Sequence, residues 1–220
     1  MRPRVVHILI LFLCVFCFSQ CKKPKEVEYK IFGTVSNSRT NQPIENTEVK
    51  ISAQILSAGT FNNSFQLLES QNTNSQGYYE FNIEKELFNS MKVQFDKELH
   101  ISYESEINPE SIDPSDGIEI SSDLDPLAFV NLRVRNINPF NDEDQLVFRY
   151  TSSYFPQCTC CNNQYQYFTG TEIDTVVSCT IVGETQLDYS YSIIRGGSST
   201  PLSGNQFIES FETEEIEINY

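Results

Sequence analysis

The seven cysteines are the residues of this chain with the widest range of chemistry, and they fall into two groups. One is near the amino terminus and the other in the second half: Cys14, Cys17 and Cys21, then Cys158, Cys160, Cys161 and Cys179. Cysteine thiolates form disulfides, bind zinc or act in redox catalysis. The compartment of the protein decides between these roles, so the amino-terminal segment is interpreted first.

Residues 1–20 have the pattern of an export signal. Arg2 and Arg4 give a positive start, and Val5–Phe18 is an apolar stretch of 14 residues interrupted only by a histidine. A helix that spans a bilayer needs about 20 apolar residues, so this stretch is too short for a span and has the length of a signal-peptide core. We predict that residues 1–20 are a signal peptide.

The cysteine that follows this segment is the predicted point of lipid attachment. Phe18-Ser19-Gln20-Cys21 resembles a lipobox, the cleavage site of signal peptidase II, in the relaxed form of Bacteroidota-type bacteria. The resemblance implies a lipoprotein whose mature chain begins at Cys21 and carries palmitate there. An ordinary secretory signal with a plain Cys21 thiol is the alternative, and both interpretations imply export.

The residues after the signal peptide indicate how the protein is held. Residues 21–28 are polar and charged, with three lysines around Pro24, and they predict a short tether behind the lipidated cysteine. We expect an exported, lipid-anchored protein of the outer membrane. Whether its body faces the periplasm or the cell surface stays open, and the basic tether favours the periplasm.

Acidic side chains dominate the sequence. It carries 30 acidic and 15 basic residues, a net charge of −15, which becomes −17 without residues 1–20. Such a charge repels nucleic acid and anionic lipid head groups, so we predict no nucleic acid partner. The membrane is expected to be reached through the lipid anchor.

Export places the four remaining cysteines in an oxidising compartment, where an even number favours disulfides. A bond between the adjacent Cys160 and Cys161 is strained, so Cys179 is expected to pair with one member of the cluster that begins at Cys158, and two schemes stay open. Cys-x-Cys-Cys lacks the two-residue gap of common zinc sites, and no Cys-x-x-Cys begins a helix. Free or redox thiols and a four-thiolate zinc site are the less favoured alternatives, and we predict no metal and no cofactor.

No catalytic group stands out elsewhere, so we predict that the protein is not an enzyme. His100 is the only histidine after residue 20 and lies in a predicted strand, which indicates a surface or hydrogen-bonded histidine. The many carboxylates single out no acid–base pair. Four aspartates offer oxygen ligands for Ca²⁺, although their spacing matches no known loop and the question stays open: Asp113, Asp116, Asp123 and Asp125.

Aromatic residues flank the cysteine cluster: Tyr154, Phe155, Tyr165 and Tyr167, with Phe168 beside them. Ordinary core packing is the favoured interpretation of these rings, and contact with a ligand is the alternative. Exposed rings stack on sugars or on a partner protein, whereas buried rings belong to the core. Their exposure therefore distinguishes a binding surface from ordinary packing.

The elements that must hold these residues are β-strands, because apolar and polar residues alternate and no helix of ordinary length is predicted. The clearest alternation in the first half is at residues 49–55. Further strands are predicted at residues 29–35, 65–69, 79–83, 92–95 and 99–103. Together they predict a first domain over residues 29–105.

Short motifs in this half carry a resemblance to a known family. Gly33-Thr34-Val35, Pro43-Ile44, Val49-Lys50-Ile51 and Gly77-Tyr78-Tyr79-Glu80-Phe81 are similar to motifs of the carboxypeptidase-regulatory-like family. The resemblance implies a prealbumin-like, seven-stranded β-sandwich, an accessory fold without catalytic residues. Gly33 suits a crowded strand position, and Gly77 suits a turn before an aromatic strand.

Residues 106–126 contain three prolines and four aspartates and predict an inter-domain linker with one short strand at residues 117–120. Alternation resumes at residues 128–134, 146–150, 173–181, 187–193 and 212–220. A second antiparallel β-sandwich is therefore predicted over residues 127–220, without a family resemblance. The predicted fold class is all-β, with two antiparallel β-sandwich domains in tandem after a lipoprotein signal peptide.

These features predict a non-enzymatic, membrane-anchored envelope lipoprotein that acts as an accessory, structural or protein-interaction component. Its expected partner is an unidentified envelope protein. The alternative is a carbohydrate-binding or adhesion module at the cell surface, with a glycan bound by the aromatic residues near the cysteine cluster.

Overall fold

The computed structural model describes residues 28–57, 59–61, 63–151, 158 and 163–220. This part of the chain is all-β and forms two β-sandwiches, which confirms these parts of the predicted fold class, whereas the predicted signal peptide lies outside the described residues. Its strands are β1 Glu28–Asn37, β2 Glu48–Ser57, β3 Thr60–Phe61, β4 Gln66–Asn72, β5 Tyr78–Glu84, β6 Phe88–Asp96, β7 Tyr103–Ile107, β8 Ile118–Glu119, β9 Ser122–Leu124, β10 Leu127–Arg135, β11 Gln145–Tyr150, β12 Gln166–Thr169, β13 Asp174–Val182, β14 Thr185–Arg195, β15 Ser198–Ile208 and β16 Thr213–Asn219. A short 3-10 helix lies at Pro109–Ser111, and no helix of the described residues is long and apolar enough to cross a membrane.

The first sandwich consists of two sheets that enclose one apolar core. One sheet has the order β5-β1-β8, with β9 also paired to β1, and the other has the order β3-β2-β6-β7, with β4 paired to β2. Alternate residues of the main strands point inward, as the period-two pattern predicts. Buried side chains from both sheets form this core, among them Ile31, Val35, Val49, Ile51, Phe81, Val93 and Phe95.

Two glycines occupy positions that the sequence motifs predicted for them. A Cβ on Gly33 would lie 2.1 Å from the carbonyl oxygen of Ile120, so backbone crowds this strand position. Gly77 has a φ of 70° in the turn where the Asn74 side chain accepts a hydrogen bond from the Tyr78 amide at 3.0 Å. Glycine meets both demands because it has no Cβ.

The segment predicted as a linker packs into the first sandwich. Between residues 106 and 126 the chain forms β8 and β9, and both run parallel to β1. The predicted strand at residues 117–120 corresponds to β8. Ile107, Ile112 and Leu124 are buried in the first core, so part of this segment belongs to the packing that stabilises the first sandwich.

The second sandwich also has two sheets, with the orders β13-β10-β16 and β12-β11-β14-β15. β10 and β16 run parallel through seven register pairs, from Phe129 with Thr213 to Arg135 with Asn219. The other pairings described in this sandwich are antiparallel. Its core contains buried residues of both sheets, among them Val130, Leu132, Leu146, Phe148, Ile181, Leu187 and Ile216.

The two sandwiches meet at a hydrogen-bonded junction. The Leu127 amide donates to the Leu99 carbonyl at 2.7 Å, and His100 forms an isolated bridge with Pro126. The His100 ring also lies 5.2 Å from the ring of Phe211. His100 therefore lies at the junction rather than within a strand.

Several strands differ from the sequence-based expectation. β7 begins at Tyr103 rather than at residue 99, because Leu99 adopts a φ of 57° in a turn. β3, β9, β12 and β15 lie where no strand was predicted. β12 has only four residues, and β15 contains Pro201 and Gly204, so neither shows a clear alternation.

Candidate binding face

The outer face of one sheet of the second sandwich carries two of the predicted contact residues. β12 pairs antiparallel with β11, with Tyr167 opposite Val147 and Phe168 opposite Leu146. Because side chains alternate across a strand, Phe168 packs against the second core while Tyr167 points to solvent. The exposed fractions of Tyr165 and Tyr167 are 53% and 63%. The structure therefore places both tyrosines on the surface.

The two tyrosine rings form a shallow, angled platform. Their centroids are 6.4 Å apart and their planes meet at 42°. The guanidinium carbon of Arg149 lies 5.0 Å from the Tyr165 ring centroid, and Arg149 Nε donates to Ser190 Oγ at 3.3 Å. The cation–π contact and this hydrogen bond hold the guanidinium beside the rings. We name Val147, Arg149, Tyr165, Tyr167 and Ser190 the tyrosine face.

A layer of packed aromatic rings lies on the other side of this sheet. Phe148 meets Tyr150 edge-on, with centroids 4.9 Å apart, and stacks with Tyr189 at 5.6 Å. Burial, and then the neighbouring Tyr189, raises the pKa of Tyr150 to about 12, so its hydroxyl is protonated at neutral pH. The tyrosine face thus lies on a sheet whose other side is closely packed.

The groups of the tyrosine face are suited to binding. Tyrosine rings present flat apolar surfaces with a hydroxyl at the edge, Arg149 presents a cation, and Ser190 adds a second hydroxyl. Its five members include no carboxylate or imidazole that could act as a general acid or base. The set fits a flat polar ligand such as a sugar ring, or the side chains of a protein partner.

The predicted bridge residues that the structure describes are both in the second core. Cys158 and Cys179 are buried, and Cys179 lies on β13 opposite Val130, with its sulfur 3.9 Å from the Tyr150 hydroxyl. The other predicted site residues lie outside the described part of the chain: Cys21 with residues 1–20, Tyr154, Phe155, Cys160 and Cys161. Their roles stay predictions.

The aspartates considered as calcium ligands have separate hydrogen-bond partners. Asp113 accepts hydrogen bonds within its own turn, from the amide and the hydroxyl of Ser115. Asp123 and Asp125 instead accept from serine hydroxyls at the end of β1 and just after it. Within the described ranges, no group of three or more Asp, Glu, His or Cys side chains could hold a metal ion.

A buried carboxylate orders the loop at one end of the second sandwich. Asp144 has no exposed surface and accepts hydrogen bonds from the Phe140 amide at 2.7 Å and Asn136 Nδ2 at 3.2 Å, with Arg195 Nε at 3.4 Å. Burial by itself would raise the pKa of Asp144. The hydrogen bonds from Phe140 and Asn136 and the charge of Arg195 outweigh burial and hold that pKa below its usual value. This network stabilises the loop.

Arg149 is the member of the tyrosine face with the clearest ligand-binding chemistry that sequence reasoning missed. Its place between the inward residues Phe148 and Tyr150 already indicates that it points outward. Its contact with Tyr165, however, depends on the register between β11 and β12. No local pattern encodes that register.

No family model and no curated protein matches the chain. Solved structures with some similarity include the Bacillus anthracis TIE protein, at 8% identity and a TM-score of 0.40, with 88% of this chain and 34% of that one covered. A Streptococcal ancillary pilin has 11% identity and a TM-score of 0.37, with 90% and 64% covered. The shaft pilin SpaA of Lactobacillus rhamnosus GG has 9% identity and a TM-score of 0.37, with 87% and 97% covered.

The chain thus spans about a third of the first of these proteins and under two thirds of the second. Similarities at this level of identity and TM-score carry no inference about family, ligand or activity.

Proposed function

We propose that the protein is an exported, non-enzymatic binding component of the cell envelope that contacts its ligand through the tyrosine face. The observation that carries the proposal is the exposure of Tyr165 and Tyr167 side by side with Arg149. Large aromatic rings are costly to leave in water, and they are enriched where proteins bind their partners. An exposed tyrosine pair with a held arginine therefore favours an interaction surface.

A protein of the envelope is the first candidate ligand. Tyrosine and arginine are the residue types that contribute most at protein interfaces, and here they lie together on a sheet that a packed core supports. Serine hydroxyls such as that of Ser190 supply hydrogen bonds at the rim of such a contact.

A glycan is the second candidate ligand. The apolar face of a sugar ring packs on a tyrosine ring, and its hydroxyls accept hydrogen bonds from arginine. Rings 6.4 Å apart and tilted by 42° suit two successive sugar units better than one flat ring. This geometry supports the carbohydrate-binding alternative specifically.

Binding measurements with the full chain test both candidates. Tyr165→Ala and Tyr167→Ala are each expected to weaken binding by about tenfold, whether the ligand is found on a glycan array or by co-purification with the native membrane. Tyr103→Ala is the matched control, because Tyr103 is 50% exposed but lies on the first sandwich. Equal losses in all three variants would contradict the assignment of the tyrosine face. The absence of binding across a broad glycan array would count against a glycan ligand.

We further propose that Cys21 carries the lipid that holds the protein to the membrane. The support is the sequence of residues 1–28, with its basic start, apolar stretch, lipobox-like site and polar tether. Cys21→Ala is expected to release the protein from the membrane fraction and to abolish palmitate labelling, whereas Cys17→Ala in the signal peptide should do neither. A Cys21→Ala variant that still fractionates with membranes would overturn the anchor.

Two disulfides are proposed for the four cysteines of the second half, with Cys179 bonded to Cys160 or Cys161. Export, an even count and burial of both described sulfurs support this pairing.

A further inference from the structure

β15 is the longest edge strand among the strands that the structure describes. It runs from Ser198 to Ile208 and pairs with β14 through eleven register pairs. Within the described part of the chain no strand pairs with its other side. An unpaired edge presents a row of free backbone N–H and C=O groups that another strand can bind.

β15 also differs from the other edge strands in charge. Its sequence, SSTPLSGNQFI, contains no charged side chain, in a chain with a net charge of −15. Every other described edge strand of more than four residues carries at least one carboxylate, which discourages edge-to-edge pairing: β4, β5, β7, β13 and β16. The two remaining uncharged edges, β3 and β12, have only two and four residues.

Large apolar side chains are exposed on both faces of this strand. Leu202 lies opposite Tyr191 on the core side of the sheet, yet it is 42% exposed. Phe207 lies on the opposite face and is 46% exposed. A strand added beside β15 would place its own side chains against both residues and remove apolar surface from water.

We propose that β15 pairs antiparallel with β15 of a second copy of this chain. Two copies of so acidic a protein repel each other, so a self-contact is expected where the edge is neutral, and β15 is the only long described edge that meets this condition. An antiparallel pairing of identical strands forms a closed two-fold dimer, the commonest symmetry of soluble oligomers. Pro201 has no N–H to donate to the second strand. The hydrogen bonds between the two β15 strands are therefore centred on the residues after Pro201.

The dimer would contain one continuous sheet of eight strands, in the order β12-β11-β14-β15 followed by the same strands reversed. The two-fold axis is perpendicular to this sheet, so the outer faces of both copies point the same way. The Tyr167 side chains of the two copies, both on β12, would then be separated by seven strand spacings, roughly 34 Å at about 4.8 Å each.

Sedimentation of the full chain in density-matched detergent tests this pairing over concentrations of roughly 1 μM to 1 mM. The unmodified protein is expected to show a reversible monomer–dimer equilibrium. Ser203→Lys places like charges across the two-fold axis and is expected to raise the dissociation constant by more than about tenfold. Asn138→Lys is the matched control, because it adds the same charge to an exposed loop and should leave the equilibrium unchanged.

Hydrogen exchange of residues 198–208 provides a second readout that does not depend on a substitution. Their amides are expected to exchange more slowly at high protein concentration than at low concentration, while those of β7, an edge of the first sandwich, exchange alike at both. A monomer across the whole range, or a Ser203→Lys dimer of unchanged affinity, overturns the proposal. Slowed exchange that requires a different protein, with this chain still monomeric, also overturns it.

Discussion

Gly33 lies against Ile120 so closely that a Cβ on the glycine would be 2.1 Å from the isoleucine carbonyl oxygen and 2.6 Å from its carbonyl carbon. The obstacle is backbone, and the same stretch is held by the Ile120 amide, which donates to the Phe32 carbonyl at 2.8 Å. The strand that contains Gly33 and the segment that returns after residue 106 therefore fit each other only with hydrogen at this position.

Gly33→Ala is expected to lower the free energy of unfolding by about 3 kcal/mol, because the added methyl group must push the two backbones apart. Gly197→Ala is the comparison: among the described residues, no atom beyond its chain neighbours lies within 4 Å of its Cβ position, so only its φ of 78° costs energy, about 1 kcal/mol. Denaturant titration measures both. Equal losses in the two variants would show that the close approach is not what makes Gly33 necessary.

Asp144 predicts a pH dependence of stability. Since its folded pKa lies below the usual value, Asp144 contributes stability above the unfolded pKa of about 3.9, and that stability is lost as the pH falls through the folded pKa. Asp144→Asn should therefore be less stable than the unmodified protein at pH 7, and the difference should shrink below about pH 4. Glu143→Gln, an exposed neighbour with the same charge change, should show little difference at either pH. If the difference in stability between Asp144→Asn and the unmodified protein does not change with pH, the charge of Asp144 is not what stabilises the loop.

Adjacent residues of β12 are expected to separate binding from stability. Tyr167→Ala removes an exposed ring and should change the unfolding free energy by less than about 0.5 kcal/mol. Phe168→Ala removes a ring that packs against the second core and should cost about 2 kcal/mol. Thermal unfolding monitored by circular dichroism distinguishes them, and a reversal of the two values would mean that the strand faces the other way.

Cys179 predicts a redox-dependent stability. Cys179→Ala should lower the unfolding free energy by roughly 3 kcal/mol under oxidising conditions, because a bridge that closes a loop of this size restricts the unfolded chain. In reductant, the difference in unfolding free energy between the unmodified protein and Cys179→Ala should become much smaller. Peptide mapping without reduction should recover Cys179 linked to Cys160 or Cys161. If this difference in unfolding free energy is the same with and without reductant, the Cys179 side chain stabilises the protein through packing alone.

The alternation of side chains was sufficient to predict most of the long strands, because a strand with one buried face has apolar and polar residues in alternation. Val49, Ile51 and Ala53 alternate with polar residues and are all buried. Strands without this alternation were not predicted. β15 has Thr200, Gly204 and Gln206 at positions on the core side of the sheet, where an alternating strand has apolar residues, and its place depends on eleven pairings with β14.

The exposure of the tyrosines could not be derived in the same way. A four-residue strand has two faces and an aromatic residue on each, so its sequence does not state which ring points inward. The pairing of Phe168 with the buried Leu146 decides this, and it is a contact between residues 22 positions apart. The contact of Arg149 with Tyr165 likewise depends on how β11 and β12 pair, and not on the sequence near either residue.

Parallel pairing recurs between the entering and leaving strands of both sandwiches. β1 is paired in parallel with β9, and β10 with β16. A pull applied at Glu28 and Asn219 would draw each pair apart along its length, so that all hydrogen bonds of the ladder are strained together instead of breaking one after another. Tension between Glu28 and Asn219 therefore loads both ladders in shear, so that neither is opened one hydrogen bond at a time.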